Sequence, residues 1–416
     1  MVFVCIHSRL SLADTAQPSL ARKCHECFWG ARAPRVLLGA PRPKLAPAAF
    51  TTLSVLLTPN PSARRRREHA RALVLPMTCE ISGLGWIFLV LLLASCPAGF
   101  SQTFRFPTAN HALLESGGEE RFFVGTVGKP WSSGMFGCVR TDGRQFHEGI
   151  DIRCLERDRH GEPADPVLAS ADGTVAYVND KPGLSNYGRY IVVKHHIEGL
   201  EIFSVYAHLR EAGSDIEPGR PVRVGEKIGI MGRSTNTREG ISRDRAHVHF
   251  ELNLLVNDRF DAWHRKNSGG QRNDHGDWNG HNLLGIDPSM IFRAQERGKG
   301  QFRLLDFLRG QTELCRVVVR ATSFSWLHRY TPLIRRSAKA EQEGVAGYEL
   351  ALNYVGIPFQ LIPRSTSEIS GSTKIQLLSV NEAEQARHPC RRLVIKRGSD
   401  WQLTEAGVRL LDQLVF

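Results

Sequence analysis

Short stretches in which hydrophobic and polar residues alternate dominate the middle of this 416-residue chain. Alternation with a period of two, or a continuous β-branched run, is typical of strands with one or two buried faces. Such stretches cover residues 166–180, 190–196, 201–209, 220–232 and 247–256. Glycine-rich turns separate them, and no helix of any length is evident among them. The pattern predicts a mainly β, antiparallel domain over residues 126–293.

A polar stretch follows the last of these strands. Residues 257–285 are rich in Gly, Asn and Asp and contain Trp263 and Trp278. We expect a long loop here, and long loops are often functional or mobile. Because it leaves the strand at 247–256 directly, it should lie near any site on that strand. The two tryptophans could stack on a substrate.

The pattern becomes mixed after residue 294. Two segments show a helical period, 302–310 and 404–415, and Thr404 is placed to cap the second helix. Strand-like segments lie at 314–324, 373–380 and 391–397, with a short polar helix between the last two. We expect a smaller α+β domain over 294–416. It contains no recognisable catalytic motif, and its role stays open.

The N-terminal part lacks the pattern of a folded domain. Residues 1–76 are rich in Ala, Arg and Pro, and indicate either a disordered extension or a start codon placed too early. They hold 12 of the 54 Lys/Arg but only 3 of the 42 Asp/Glu, so they account for most of the net charge of +12. The rest of the chain shows no basic stripe, so nucleic acid is not an expected partner. Residues 97–125 should be a linker and lead-in.

Residues 77–96 have the character of an export signal. Their apolar run is too short for a membrane span and suits a signal-peptide core. Leu-Ala-Ser-Cys at 93–96 resembles a bacterial lipobox, in which Cys96 would be lipidated; cleavage near Ser101 would instead give a secreted protein. We expect export, either to the cell envelope (periplasmic or lipid-anchored to the membrane) or outside the cell. Membrane contact would run only through this segment or the lipid.

An even number of cysteines follows Cys96, namely Cys138, Cys154, Cys315 and Cys390. Disulfides are common in exported proteins, and four cysteines allow three pairings. Free thiols are also compatible with the sequence. We favour the pairs 138–154 and 315–390, because the first pair brackets a His/Asp motif.

Five residues could together form a metal centre. His147 and Asp151 lie four residues apart in FHEGIDI, and His208 lies in YAHL. His247 and His249 alternate along a predicted strand, so both side chains point to one face. Two imidazoles and one carboxylate can hold zinc and leave a fourth position for water, which is the layout of a catalytic zinc site. The remaining two histidines could transfer protons and stabilise charge.

These motifs resemble those of the lysostaphin-type (LytM-type) zinc metalloendopeptidases. The family pattern of His-x-x-x-Asp, Tyr-x-His-Leu and His-x-His-Phe-Glu matches within residues 146–252. The surrounding sequence resembles the family over about 126–293. The resemblance implies an antiparallel-sheet peptidase domain with one Zn²⁺. Carried over by position, it implies three ligands and two catalytic residues: His147, Asp151 and His249 as ligands, His208 and His247 as the catalytic pair.

The family cleaves peptide cross-links of bacterial cell-wall peptidoglycan, so the resemblance implies a peptidoglycan peptide as substrate. Which bond is cleaved, the oligomeric state, and which of His208 and His247 is the general base stay open. Tyr206 could line the cleft if strand alternation continues to His208, and Glu251 could orient a ligand imidazole. Two alternatives remain: a secreted zinc peptidase acting on proteins, and a non-catalytic activator of another wall hydrolase.

Overall fold

The computed structural model describes residues 103–369 and 371–416. The chain divides into two units, Met1–Glu80 and Ile81–Phe416, and all described residues belong to the second. The expected N-terminal extension, the signal segment at 77–96 and Cys96 lie outside the described residues. Within the described ranges, no helix has both the length and the apolar character needed to cross a membrane.

The strands of the first part of the fold carry the predicted site. They are β1 (Gly137–Arg140), β2 (Gln145–His147), β3 (Ile150–Arg153), β4 (Pro166–Leu168), β5 (Gly173–Asn179), β6 (Arg189–Ile197), β7 (Leu200–Leu209), β8 (Glu211–Ala212), β9 (Pro221–Val222), β10 (Lys227–Ile230), β11 (His247–Leu255) and β12 (Leu283–Ile286). A seven-stranded sheet has the order β12-β11-β7-β6-β5-β9, with β3 also paired to β11. Strands β4, β10 and β8 form a second sheet, and β1 and β2 form a hairpin. All pairs among them are antiparallel, so the predicted mainly β architecture is confirmed.

Helices in the described ranges are short. The α-helices are α1 (Glu119–Phe122), α2 (Phe260–Asn267), α3 (Pro288–Gly298), α4 (Leu304–Arg309), α5 (Ser325–Arg329), α6 (Ala338–Glu343), α7 (Glu382–Arg387) and α8 (Glu405–Leu414). Single 3₁₀ turns lie at Ala112–Leu114, Trp131–Gly134, Pro182–Leu184, Arg243–Arg245, Gly276–Trp278, Gly280–Asn282 and Thr331–Leu333.

The prediction that residues 126–293 contain no helix is wrong. Helix α2 buries Phe260 and Trp263, which lie three residues apart on one face. These are too few apolar positions to reveal a helical period. Helix α3 begins directly after Asp287, whose side chain accepts hydrogen bonds from two backbone N–H groups of the first turn. Proline is common at the first position of a helix, so Pro288 was a sequence indication of this helix that the prediction missed.

The expected loop at 257–285 is therefore partly helical and packed. Trp263 is 1% exposed, and its indole N–H donates to Asp412 Oδ2 over 3.0 Å. Trp278 packs against Phe203, with ring centroids 5.5 Å apart. Trp263 is thus a core residue and is unable to stack on a substrate, contrary to the expectation.

The C-terminal part has strands within the three predicted segments, but the strands Gly347–Leu352, Pro358–Arg364 and Asp400–Leu403 and helices α5 and α6 were not predicted. Its strands are β13 (Cys315–Val319), β14 (Gly347–Leu352), β15 (Pro358–Arg364), β16 (Ile375–Val380), β17 (Val394–Arg397) and β18 (Asp400–Leu403). The first four form an antiparallel sheet in the order β15-β14-β13-β16, and the last two form a hairpin. Helices α4, α7 and α8 lie where the sequence predicted them. Thr404 caps α8 by accepting from the N–H of Gly407 over 3.1 Å.

Contacts between the two predicted domains are extensive. One apolar cluster includes Phe250 and Ile286 from the β-rich part and Leu308 and Val317 from the C-terminal part. The hydroxyl of Tyr330 also accepts a hydrogen bond from the Leu255 N–H over 2.7 Å. The two parts therefore share a continuous core, and a domain boundary at residue 293 stays a prediction.

The favoured disulfide pairs are wrong. Cys138 is bonded to Cys390, with Cα atoms 5.6 Å apart, and Cys154 and Cys315 are buried free thiols. Proximity in sequence misled the prediction, because Cys138 lies in the β1–β2 hairpin whereas Cys154 follows β3, which pairs with β11. The Cys154 thiol instead contacts the Asp165 carboxylate at 3.0 Å.

Residues 104–124 pack into the fold and are not a linker. Phe104, Leu113 and Phe122 are completely buried. Phe106 stacks on Phe292 of α3, with ring centroids 4.2 Å apart. The apolar residues of this segment follow no strand or helix period, which is why their burial was not predictable from the sequence.

Candidate metal centre

Strand β11 and its neighbours bring the predicted ligands together. His249 lies directly opposite Asp151 of β3, and directly opposite residues of antiparallel strands have neighbouring side chains. Strand β2 ends at His147, and two residues separate it from the start of β3 at Ile150. Gly149 lies between them, where a Cβ would come 2.4 Å from the Phe250 carbonyl oxygen. The close approach of this turn to β11 therefore requires glycine.

Three potential ligand atoms converge in the interior. His249 Nδ1 lies 2.9 Å from Asp151 Oδ1 and 3.1 Å from His147 Nε2. The remaining pair, Asp151 Oδ1 and His147 Nε2, is 3.2 Å apart. Ligands about 2.0–2.1 Å from a tetrahedral zinc ion lie roughly 3.3 Å from one another, so this triangle has the size and donor set of a zinc site.

The second ring nitrogen of each ligand histidine is held by an acceptor. His147 Nδ1 lies 2.7 Å from the Met135 carbonyl oxygen, and His249 Nε2 lies 2.7 Å from Glu251 Oε1. Because carbonyl and carboxylate oxygens accept, these nitrogens carry the protons. His147 Nε2 and His249 Nδ1 are then the nitrogens that face the centre. This second contact fixes ring orientation, as in known metal sites.

The other two histidines are held in the same way. His208 Nδ1 lies 2.9 Å from the Ser234 carbonyl oxygen, and His247 Nδ1 lies 2.7 Å from that of Arg245. Their rings are neighbours, with centroids 4.9 Å apart. His247 Nε2 lies 3.5 Å from Asp151 Oδ1. Both histidines therefore offer an unprotonated Nε2 beside the triangle, and His208 is the more exposed of the two.

A backbone irregularity places His208 at the site. Its φ is +61°, a left-handed conformation that is uncommon for residues other than glycine. The pairing of β6 and β7 also shifts register here, because Arg189 faces Leu209 whereas Ile191 faces Tyr206. This bulge turns the His208 side chain to the face that carries His249.

The same irregularity makes the prediction for Tyr206 wrong. Tyr206 is fully buried and lies opposite Phe250, next to His249 on the other face of the sheet. Its hydroxyl accepts from the N–H of Ser170 over 2.7 Å. Regular alternation would place Tyr206 and His208 on one face, and the bulge between them breaks that alternation. Tyr206 is a core residue.

Burial and charge set the protonation of the site in opposite directions. Burial lowers the pKa of His147 to about 4, that of His208 well below its usual value, and that of His247 as well. Burial also acts to lower the pKa of His249, but hydrogen bonds to two carboxylates outweigh it and raise the pKa to about 9. Burial acts to raise the pKa of Asp151, yet its contacts with His147, His247 and Arg140 hold that pKa well below its usual value.

Two residues near the ligands were missed by the sequence analysis. Arg140 Nη2 donates to Asp151 Oδ2 over 2.7 Å and lies 2.8 Å from His147 Nε2. Tyr187 donates its hydroxyl to Glu251 Oε1 over 2.7 Å. Arg140 lies on a hairpin whose sequence has no periodic pattern. Tyr187 lies within the span of about 126–293 that resembles the family sequences.

The comparison with family models agrees with this geometry. Residues 145–261, which include all five site residues, match the model of peptidase family M23. This segment is similar to the M23 (LytM-type) peptidases. Peptidases of this family hydrolyse peptide bonds and are metallopeptidases, which agrees with the His147–Asp151–His249 triangle.

Known proteins similar to this M23 domain cover only part of the chain. Cell division protein DipM of Caulobacter vibrioides is 29% identical over 108 residues, which are 26% of this chain and 14% of DipM. A zinc containing peptidase from Vibrio cholerae is 27% identical over 26% of each chain, with a TM-score of 0.19. A putative glycyl-glycine endopeptidase LytM from Ruminococcus gnavus is 24% identical over 36% of this chain and 47% of its own, with a TM-score of 0.23.

Proposed function

We propose that this protein is a zinc-dependent endopeptidase that hydrolyses peptide cross-links of bacterial peptidoglycan. The observation that carries the proposal is the convergence of His147, Asp151 and His249 beside His208 and His247 in a matched M23 domain. Two imidazoles and one carboxylate suit zinc. A bound zinc ion would act as a Lewis acid on the scissile carbonyl and activate the attacking water.

The two remaining histidines supply the proton chemistry. Because burial lowers the pKa of both His208 and His247, each is a neutral base at pH 7. One accepts a proton from the attacking water and returns it to the leaving amine. The other stabilises the substrate oxygen on which negative charge develops once its Nε2 carries a proton, because its Nδ1–H is already donated to a backbone carbonyl oxygen. Their rings are close enough to act on one substrate, and the pair is symmetric enough that either assignment is compatible with the geometry.

A peptidoglycan substrate is supported by the resemblance of the motifs and by the names of similar proteins. One similar structure is a putative glycyl-glycine endopeptidase, and the curated relative is a cell division protein. The Cys138–Cys390 disulfide supports export, because such bonds persist in oxidising compartments. Export would place the enzyme where peptidoglycan lies, whether through lipidation at Cys96 or through secretion.

Digestion of purified peptidoglycan tests the substrate directly. The zinc-loaded protein should release fragments whose masses show cleaved peptide cross-links, and a chelator should abolish release until zinc is restored. Purified casein serves as the competing substrate. Cleavage of casein alone would indicate a secreted protein-directed peptidase. Stimulation of another wall hydrolase without cleavage of either substrate would indicate a non-catalytic activator.

A further inference from the structure

The two oxygens of the Asp151 carboxylate have different surroundings. Oδ1 faces the imidazoles, 2.9 Å from His249 Nδ1 and 3.2 Å from His147 Nε2. Oδ2 accepts a hydrogen bond from Arg140 Nη2 over 2.7 Å, and the same Nη2 lies 2.8 Å from His147 Nε2. The carboxylate is almost completely buried, with its side chain 3% exposed, whereas that of Arg140 is 25% exposed. The guanidinium thus covers Asp151 from the solvent side.

We propose that Arg140 is a positioning residue that binds Oδ2 and so restricts Asp151 to offering a metal only Oδ1. This inference rests on the proposed zinc-dependent function. A carboxylate can bind a metal through one oxygen or both, and a second oxygen would take the position that a catalytic site keeps for water or substrate. A charge-assisted hydrogen bond between a guanidinium and a buried carboxylate is strong enough to make that choice.

The backbone that carries Arg140 is fixed relative to the ligands. Strand β1 pairs with β2, so that Gly137 faces His147 in the same hairpin. The Arg140 Nε–H also donates to the Ser133 carbonyl oxygen over 3.4 Å. Two residues before Arg140, Cys138 ties the hairpin to Cys390.

The C-terminal part braces this hairpin from outside. The Arg391 guanidinium lies over the Phe146 ring, 4.9 Å from its centroid, and donates to the Val355 carbonyl oxygen over 3.1 Å. The ring of Tyr354 also packs against Phe146, with centroids 6.3 Å apart. Strand β1, which carries Arg140, is therefore held by contacts on several sides. A rigid backbone suits a residue that must hold one carboxylate oxygen in place.

The same hairpin offers a matched control. Arg144 is exposed, and its guanidinium lies 3.8 Å from Asp142 rather than near a ligand. Arg144→Ala therefore removes a hairpin arginine without touching Asp151. Arg140→Met and Arg140→Ala both remove the hydrogen-bond donor, and they leave side chains of different size. Arg140→Lys keeps a cationic donor.

The test substitutes cobalt(II) for zinc in the full-length protein. Cobalt(II) is used because the intensity of its visible absorption depends on its number of ligands. Wild type, Arg144→Ala and Arg140→Lys should share the intense spectrum of four-coordinate cobalt. The donor-free variants should bind one cobalt with the weaker absorption of higher coordination. Their kcat on peptidoglycan should fall about 10–100-fold with KM little changed, while melting temperature and the disulfide are retained.

Each result decides between the alternatives. If Arg140→Met and Arg140→Ala keep the wild-type spectrum and kcat, the inference is overturned. Loss of cobalt binding in both variants would also overturn it, because Arg140 would then affect only metal affinity. If one donor-free variant does not fold, the other gives the answer. Failure of the proposed function looks different: a wild type with the four-coordinate spectrum that cleaves neither peptidoglycan nor casein would refute the function and leave the role of Arg140 in place.

Discussion

His249 Nε2 lies 2.7 Å from Oε1 of Glu251, two residues further along the same strand. The two side chains share one face of β11, so the strand itself sets their separation. Glu251 is completely buried and also accepts from Tyr187 and, over 2.8 Å, from Asn253. The contact places Glu251 where it can orient the imidazole, the role that the sequence suggested for it.

We predict that Glu251→Gln weakens zinc binding by about 10–100-fold, because the imidazole loses the charged acceptor that fixes its orientation. Chelator competition measures the affinity. Glu211→Gln is the control, since Glu211 is exposed on β8. Equal affinities of wild type and Glu251→Gln would show that the contact does not tune the metal site.

His208 should separate catalysis from coordination. We expect His208→Ala to lower kcat about 10²–10⁴-fold, the range typical of a lost general acid or base, and to keep one zinc per chain. His147→Ala should instead lose the metal. Metal analysis and kinetics of the two variants make the comparison, with exposed His196→Ala as the control. A zinc content of His208→Ala as low as that of His147→Ala would make His208 a ligand.

The Cys138–Cys390 disulfide should stabilise the fold. Its residues are 252 positions apart, so it constrains a long stretch of the unfolded chain, and its loss should lower the free energy of unfolding by about 2–5 kcal/mol. Urea unfolding of the Cys138→Ser/Cys390→Ser variant measures this loss. A reducing agent should lower the free energy of unfolding of the wild type by the same amount and leave that of the variant unchanged. If the reducing agent also destabilises the variant, groups other than this disulfide are responsible.

His195 should make stability depend on pH below neutrality. It is buried, with Nδ1 2.9 Å from the Asp172 carbonyl oxygen and Nε2 2.7 Å from Ser204 Oγ, and burial lowers its pKa to about 4. The unfolded chain binds this proton near pH 6.5, so the unfolded state binds more protons between pH 6.5 and 4. Stability should therefore be full above pH 6.5 and fall by up to about 3 kcal/mol towards pH 4.

Unfolding of His195→Asn across this range, in chelator, measures the contribution. The variant is expected to be less stable at neutral pH and to lose less stability on acidification. A pH slope identical to that of the wild type would attribute the acid sensitivity to other histidines.

The sequence predicted the elements that depend on local pattern. His247 and His249 lie two residues apart on β11, so their common face follows from strand geometry alone. His147 and Asp151 lie on two different strands, β2 and β3, and depend on the turn between them. The pairing of β11 with β3 and β7 brings these motifs together, and the family resemblance anticipated it. The cap at Thr404 depends only on neighbouring residues and was equally predictable.

Features that depend on distant packing or on irregular backbone were missed. The positive φ of His208 leaves no trace in the residue pattern, so Tyr206 was assigned to the wrong face. The contact of Arg140 with Asp151 and the bond between Cys138 and Cys390 depend on tertiary structure. Helix α2 has too short an apolar face to show a period.

Zinc-dependent cleavage of peptidoglycan cross-links by the proposed His147–Asp151–His249 centre can be measured on the substrate itself. Mass spectrometry of peptidoglycan fragments after digestion with wild type and with His249→Ala, both purified with zinc, tests it most directly. We predict cleaved cross-link peptides with the wild type, and neither fragments nor bound zinc with the variant. Equal fragment release by a His249→Ala protein that holds a full complement of zinc would show that His249 is not a ligand of the catalytic zinc.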